Sequence, residues 1–159
     1  MVIITTRHNS HAKIVIEALE KGKNIFVEKP LAINKDELRE IIKCYKNSEA
    51  GSLMVGYNRR FSPHAVTVKK SIGPDSGPIN IIANMNAGSL PISHWANDGD
   101  IGGGRIVGEA CHLIDLCIFL SGSLVESVCM NNISEHISDS INNGSILLRF
   151  KNGSNASIN

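Results

Sequence analysis

Short apolar runs alternate with amphipathic segments over the first sixty residues. The predicted strands are runs of apolar or β-branched residues, at 2–5, 24–27 and 53–56. The predicted helices repeat apolar residues every three or four positions, over 12–19 and 34–45. The second helix begins with Asn34 followed by Glu37, which is the spacing of a capping box. This β-α-β-α-β order predicts parallel strands joined by right-handed crossovers.

The pattern changes after residue 61. Helices are predicted from Pro63 and over 105–120, the second after a long polar loop at 86–104. Short strands are predicted at 79–85, 124–130, 145–150 and 156–158. The sequence KNGS between the last two strands is a hairpin signal. We therefore predict an α/β chain in which residues 1–60 hold a partial parallel sheet and residues 61–159 form an α+β domain with a mainly antiparallel open sheet.

Composition narrows the classes of partner. Sixteen basic and fifteen acidic residues are spread along the 159 positions and give a formal charge of +1, so no basic stripe is present for nucleic acid or an anionic membrane. No apolar run approaches the roughly 18 residues of a membrane span, and the N-terminus lacks the order of a signal peptide. The four cysteines form no CxxC pair. We expect a cytoplasmic chain with reduced thiols and a small-molecule or protein partner.

The stretch GGGRIVGEACHLID at 102–115 combines three glycines with several ionisable side chains. Glycines in this number favour close approach of the backbone to another group. Along the helix that follows, Glu109, His112 and Asp115 are spaced by three residues and share a face. A buried His112–Asp115 hydrogen bond and a functional site are both compatible with this pattern.

Zinc is the rival interpretation of the same stretch. Its ligand types are present at Cys111, His112, Asp115 and Cys117. Adjacent helical residues such as Cys111 and His112 point in different directions, so we predict no metal site.

Polar clusters follow each strand of the predicted parallel sheet. They are TRHN, EKP and YNRR, and they meet at the carboxyl edge, where such sheets bind ligands. The chain contains no GxGxxG turn after a strand, and GDIGGG at 99–104 follows a polar loop. With the last hairpin ending in mid-strand at Asn159, we expect a chain that is truncated at both ends and that binds NAD(H) weakly or not at all.

Three motifs follow one another along the chain: EKPLA at 28–32, GYNRRFSP at 56–63 and GGGRIVGEACHLID at 102–115. In this order they resemble the Gfo/Idh/MocA family of NAD(P)-dependent oxidoreductases. Together with TRHNSHA and NAGSLPISHW they resemble the second part of a bi-domain dehydrogenase, in which a zinc-type alcohol dehydrogenase segment comes first. The resemblance implies the second half of a Rossmann domain followed by a substrate domain whose open sheet forms homo-oligomers. It also implies hydride transfer between NAD or NADP and a hydroxyl or carbonyl carbon of a sugar or cyclitol.

The resemblance also implies catalytic residues. Lys29 of EKP would lie beside nicotinamide and substrate, where it can hydrogen-bond the reacting oxygen. The family's motif GGGxxxDxGxHxxD matches at His112, the candidate acid/base, and at Asp115, which would orient it. Its first aspartate corresponds to Gly108; either Glu109, one residue later, replaces this carboxylate or the bi-domain group handles the proton differently.

The remaining site residues come from the same resemblance. Cofactor contacts are expected from Thr6, Arg7, His8, Asn9, Glu28, Lys29, Pro30 and Asn58. Substrate contacts are expected from Arg60, His94 and Trp95, because an aromatic face packs on a sugar ring. Other roles remain open: the TRHN residues as a helix cap, Arg59 or Arg60 as a partner for a carboxylate at the domain junction, and Trp95 in packing. The alternative function is a non-catalytic interaction module built on the exposed sheet.

Overall fold

The computed structural model describes residues 1–49, 51–91, 93–132 and 142–159, so the predicted loop at 86–104 is described except at residue 92. The chain divides into two compact units. The first consists of Met1–Tyr57 with Leu90–Gly108, and the second of Asn58–Ser89 with Glu109–Asn159. In the described ranges, no helix is long and apolar enough to cross a membrane.

The first unit contains the predicted β-α-β-α-β succession. Its elements are β1 (Val2–Ile4), α1 (His8–Glu20), β2 (Ile25–Val27), α2 (Lys35–Asn47) and β3 (Leu53–Val55). The strands pair in parallel in the order β1-β2-β3. The prediction of a partial parallel sheet is confirmed, and the three polar clusters follow its carboxyl ends.

The core of this unit lies between the sheet and the two helices. Ile4 and Val27 of the sheet are buried with Val15 and Leu19 of α1 and with Ile41 of α2. In this way the amphipathic faces of the helices cover the alternate strand residues that point toward them. The packing fixes where each strand ends, and therefore where the residues after β1 and β2 lie.

Helix α1 begins earlier than the sequence pattern predicts. His8 and Asn9, expected in a polar loop, form its first turn, after Arg7 as the N-terminal cap residue. The Arg7 side chain makes no capping bond, whereas the Ser10 hydroxyl lies 2.6 Å from Thr6 Oγ1 and 2.8 Å from the Arg7 carbonyl oxygen. The prediction placed the start at the first apolar residue and missed a polar helical turn.

Helix α2 begins where the capping box predicts. Asn34 Oδ1 accepts from the backbone N–H of Asp36 at 3.1 Å and of Glu37 at 2.9 Å. Glu37 Oε2 in turn accepts from the N–H of Ile33 at 2.9 Å. These bonds satisfy N–H groups that have no partner within the helix.

The described residues of the second unit form a four-stranded sheet and two α-helices. Its elements are α3 (Pro63–Ile72), β4 (Asn80–Ala83), α4 (Cys111–Ser121), β5 (Val125–Asn132), β6 (Gly144–Phe150) and β7 (Asn155–Ile158). The strand order is β4-β7-β6-β5, with β4 parallel to β7 and the other pairs antiparallel. The Phe150 N–H donates to the Ser154 carbonyl at 2.9 Å and closes the predicted hairpin. The mainly antiparallel sheet is confirmed.

One face of this sheet is apolar and buried, and the other carries exposed apolar side chains. The buried residues are Ile146, Leu148, Phe150, Ala156 and Ile158. On the opposite face, Leu147 pairs across the ladder with Ser157, which pairs with Ile82 on β4. Ile82 is 70% exposed and Leu147 is 53% exposed.

Candidate functional site

Lys29 follows β2 and is half-buried. Its ammonium donates a hydrogen bond of 2.7 Å to the carbonyl oxygen of Gly108, and the Lys29–Pro30 peptide is cis. The lysine expected to contact the reacting oxygen is therefore held at the carboxyl edge of the parallel sheet by a backbone acceptor from the glycine-rich stretch. A charged donor at this position is suited to binding an oxygen that gains negative charge.

His11 fixes the backbone on which Lys29 stands, a feature that sequence reasoning missed. Its ring is fully buried, with Nδ1 2.8 Å from the carbonyl oxygen of Pro30 and Nε2 2.9 Å from that of Thr6. The ring thus joins the segments that follow β1 and β2. The sequence did contain a signal for this role, because His11 directly precedes the apolar residue Ala12 at the start of the helix. A histidine on a buried helix face needs polar partners.

All three glycines are explained by the backbone around them. A Cβ on Gly102 would lie 2.6 Å from the Cα of Ala96, a separation that side chains do not tolerate. Gly103 and Gly104 have φ of +76° and +79°, in the left-handed region that favours glycine. The expectation of close backbone approach is met here by the chain itself, since Gly102 packs on the turn containing Ala96.

His8 lies against both ends of this stretch. Its Nδ1 is 2.8 Å from the carbonyl oxygen of Gly102. A Cβ on Gly108 would lie 3.3 Å from His8 Cε1, so the imidazole fills the space beside Gly108. The resemblance places an aspartate at position 108. In this chain an imidazole side chain occupies the space next to that backbone position.

Trp95 is surrounded by polar side chains that come from two separate segments. Its ring meets the His8 ring edge to face, with centroids 4.8 Å apart, and the Arg7 guanidinium lies 5.7 Å from its centroid. His94 Nδ1 accepts from the Ala96 N–H at 3.2 Å and its ring lies 5.7 Å from that of Trp95. The structure thus brings together residues predicted for the cofactor and residues predicted for the substrate.

Other predicted cofactor residues lie along the same edge. The Asn9 N–H, in the first turn of α1, donates to the Ile101 carbonyl at 3.1 Å. The Glu28 carboxylate packs against the end of β3, since a Cβ on Gly56 would lie 3.1 Å from Glu28 Oε2. Thr6 is exposed and contributes its carbonyl to His11.

Arg60 and Asp115 form an ion pair within the second unit. Arg60 Nε donates to Asp115 Oδ2 at 2.8 Å and Nη2 donates to Oδ1, so both carboxylate oxygens accept from one guanidinium. The Asp115 side chain is only 10% exposed, and its hydrogen bond raises the pKa of Arg60 above its already high value. The guanidinium also lies 5.7 Å from the Phe119 ring centroid. A carboxylate partner for Arg60 was one of the alternatives left open by the sequence.

The other predicted residues of the second unit lie on or near the final helix. His112 is buried on α4 and Glu109 is half-buried in a π-helical turn, Ile106–Ala110, that leads into α4. The expected common face of Glu109 and His112 assumed an unbroken α-helix, and the wider turn changes that relationship. Asn58 is exposed at the start of a 3₁₀ turn, Asn58–Phe61.

The cysteines do not belong to a metal-binding cluster in the part of the chain that the structure describes. There, no group of three His, Cys, Asp or Glu side chains is arranged to hold a metal ion. All four cysteines are free. Burial raises the pKa of Cys117 to about 11, so this thiol is held in its neutral form.

Comparison with known proteins identifies the family. Residues 1–57 match the profile GFO_IDH_MocA, described as the oxidoreductase family with an NAD-binding Rossmann fold. The chain is 32% identical over 132 residues to inositol 2-dehydrogenase of Rhizobium meliloti (strain 1021), covering 80% of this chain and 38% of that enzyme. The chain belongs to the Gfo/Idh/MocA family of oxidoreductases.

This Gfo/Idh/MocA chain is also similar to a second inositol dehydrogenase and to an oxidoreductase of known structure. It is 32% identical over 130 residues to scyllo-inositol 2-dehydrogenase (NAD(+)) of Bacillus subtilis (strain 168), covering 80% of this chain and 36% of that enzyme. The crystal structure of an oxidoreductase domain protein from Kribbella flavida matches with a TM-score of 0.81 at 25% identity, covering 99% of this chain and 47% of the other. The chain thus spans about half the length, or less, of these proteins.

Proposed function

We propose that the chain provides catalytic residues for an NAD(P)-dependent oxidoreductase that interconverts a hydroxyl and a carbonyl on a cyclitol or sugar. The observation that carries this proposal is the Lys29 ammonium at the carboxyl edge of the parallel sheet, with a hydrogen bond of 2.7 Å to Gly108. Similarity to two inositol dehydrogenases supports the cyclitol class. A bound nicotinamide would supply the hydride acceptor or donor.

Lys29 is proposed to hydrogen-bond the reacting oxygen. The backbone acceptor and the His11 bonds fix the segment from which the ammonium projects, so little freedom must be lost when an oxygen replaces or joins the Gly108 carbonyl. A positive charge there stabilises the alkoxide character that develops as hydride leaves the carbon. This is an electrostatic role that a neutral side chain of the same length cannot perform.

The residues around α1 fit the nicotinamide–ribose part of a cofactor. Thr6, Arg7 and Asn9 have exposed side chains where β1 enters the first turn of α1, and Glu28, Pro30 and Asn58 are proposed as further contacts. These groups offer hydroxyl, amide and guanidinium donors for ribose and amide oxygens. Comparison of turnover with NAD⁺ and with NADP⁺ identifies the dinucleotide.

Proton exchange is assigned to histidine. In the second unit, His112 is the residue that the resemblance implies, with Asp115 and Glu109 as its carboxylates. Imidazole suits this task because its ordinary pKa lies near neutrality. For substrate contacts we propose Arg60, His94 and Trp95, as expected from their sequence positions.

A direct assay tests the function. The complete protein is incubated with NAD⁺ or NADP⁺ and a panel of cyclitols and pyranoses, and reduced nicotinamide is followed by absorbance. We expect turnover of at least one cyclitol or sugar, with a matching carbonyl product by mass spectrometry. Absence of turnover with every pair, for protein that is folded by circular dichroism, would contradict the proposal.

We also propose that the exposed face of the second sheet joins copies of the chain. Ile82 and Leu147 lie on one row across the sheet and are well exposed. Exposed apolar side chains on one face of a sheet favour association, and here the two lie on either side of Ser157. This same observation favours the alternative role as an interaction module, and the assay above separates the two.

A further inference from the structure

Arg7 holds an exposed guanidinium against the ring of Trp95. The guanidinium carbon lies 5.7 Å from the ring centroid, within the range of a cation–π contact. This ring contact is the only interaction that the Arg7 side chain makes with the described residues. Because a guanidinium carries five N–H donors and no acceptor, its hydrogen-bonding capacity is left for solvent or a ligand.

His94 and Trp95 add further donors beside Arg7. The Ala96 N–H donates to His94 Nδ1 at 3.2 Å, so the hydrogen of the neutral imidazole is on Nε2. The centroids of the His94 and Trp95 rings are 5.7 Å apart. Within the described ranges, neither His94 Nε2 nor the indole nitrogen of Trp95 has a hydrogen-bond partner. We refer to Arg7, His94 and Trp95 as the donor cluster.

The acidic side chains that the structure describes do not neutralise Arg7. Asp98 is the first acidic residue after Trp95. Its Oδ1 accepts from the backbone N–H of Asp100 at 2.8 Å and of Ile101 at 3.1 Å, which holds the carboxylate within its own turn. The donor cluster therefore carries an uncompensated positive charge, and it suits an anionic group whose oxygens accept hydrogen bonds.

The donor cluster is anchored to the glycine-rich stretch that Lys29 also contacts. A Cβ on Gly102 would lie 2.7 Å from the Trp95 carbonyl oxygen, so the two backbones are packed together. The His8 ring joins them, with Nδ1 2.8 Å from the Gly102 carbonyl oxygen and its centroid 4.8 Å from that of Trp95. Lys29 binds the Gly108 carbonyl oxygen at 2.7 Å, six residues further along. All of these contacts lie within one compact unit.

We propose that the donor cluster binds a carboxylate or phosphate group of the substrate, which is therefore an acidic sugar or cyclitol. This inference rests on the proposed oxidoreductase function and specifies its substrate class. The planar fork of Arg7 matches two oxygens of such a group, and the Trp95 ring packs on the apolar face of the sugar. A carboxylate takes two of the five guanidinium donors and leaves the others for the cofactor ribose.

Titration calorimetry on the complete protein tests the preference for an anion. D-Glucose, D-glucuronate and D-glucose 6-phosphate differ only at the sixth carbon, so they compare a neutral group with a carboxylate and a phosphate on one ring. We expect at least one of the two anions to bind at least about tenfold more tightly than glucose. Trp95 is the only tryptophan among the 159 residues, so its emission in this chain should change on binding.

The informative variant is Arg7→Gln, which removes the charge and the planar fork but retains an amide donor. We expect it to weaken binding of the preferred anion by at least about tenfold, with little change in glucose affinity or melting temperature. Arg39→Gln is the matched control, because it removes the same charge from an exposed arginine on α2 and should leave all affinities unchanged.

The outcomes separate this inference from the proposed function. Equal affinity for the neutral and acidic sugars, or failure of both anions to bind, overturns the inference. Turnover of neutral and acidic substrates with equal kcat/KM overturns it while the oxidoreductase function stands. A preference for NADP⁺ over NAD⁺ that Arg7→Gln removes would assign the guanidinium to the cofactor and also overturn it. Anion binding that Arg7→Gln abolishes, in a protein without turnover, supports the anion site and overturns the oxidoreductase function.

Discussion

The Lys29 ammonium and the Gly108 carbonyl oxygen are 2.7 Å apart, although 79 residues separate them in the chain. The contact links the segment after β2 to the glycine-rich stretch within one compact unit. Position 108 therefore has two structural roles. Its carbonyl oxygen accepts from Lys29, and the absence of a Cβ leaves room for the ring of His8.

Gly108→Ala should show energetic coupling to His8. Alanine gains about 1 kcal/mol over glycine in a helical turn, but its Cβ would press on His8 Cε1 at 3.3 Å, and overpacking costs about 1–3 kcal/mol. We expect Gly108→Ala to be neutral or destabilising in the wild type and to stabilise a His8→Ala background by about 1 kcal/mol. Urea unfolding of the four proteins measures this, and additive effects would contradict the contact.

Arg60→Met should destabilise the protein by about 3 kcal/mol, because it leaves the carboxylate of Asp115 without its bidentate partner in a site that is 10% exposed. Arg60→Lys should recover only part of the loss, since an ammonium lacks the planar fork. The control is Arg39→Met, which removes a pair whose side chains are 75% and 88% exposed and should cost less than about 1 kcal/mol. Equal losses in chemical unfolding would refute the distinction.

The cysteines should differ in alkylation rate. A pKa of about 11 leaves on the order of one Cys117 thiol in a thousand ionised at pH 8, and the side chain is also 1% exposed. Cys129 is exposed in the single chain and pairs with Leu147, so in dilute, dissociated protein it should react before Cys117 with iodoacetamide. Peptide mass spectrometry after a short exposure to iodoacetamide gives the order in which the cysteines are alkylated. Rapid labelling of Cys117 in folded protein would contradict the buried position of this thiol.

Leu147→Glu should weaken self-association. It places a charge in the exposed row that includes Ile82, whereas Leu38→Glu places one on a separate exposed position of α2. Light scattering should show a dimer or larger species for the wild type and for Leu38→Glu, and a smaller mass for Leu147→Glu. A monomeric wild type at high concentration would rule out the interface.

The sequence predicts regular elements well where one physical signal dominates. Apolar periodicity located both helices of the parallel unit, and the side chains of Asn34 and Glu37 marked the start of α2. The start of α1 was missed because His8 and Asn9 are polar, and their helical conformation depends on tertiary contacts such as the Asn9–Ile101 bond.

The residue types of the candidate site and its sheet edge were predictable from the sequence, but the contacts within it were not. Lys29 and the TRHN cluster were expected at one sheet edge, because parallel strands end together. The contacts of His8 with Gly102 and Gly108 join residues about a hundred positions apart, and no local pattern encodes them. The π-helical turn before α4 was likewise hidden, since α-helical periodicity continues through its apolar residues.

Transient kinetics of Lys29→Met in the complete protein tests the central claim most directly. Methionine keeps an unbranched chain but has no charged donor, so the loss measured is that of the ammonium. The account predicts that kcat falls by at least about 10²-fold while the dissociation constant of the cofactor changes little, with partial recovery in Lys29→Arg. Retained kcat with weakened cofactor binding would contradict it, and would show that Lys29 only binds the cofactor.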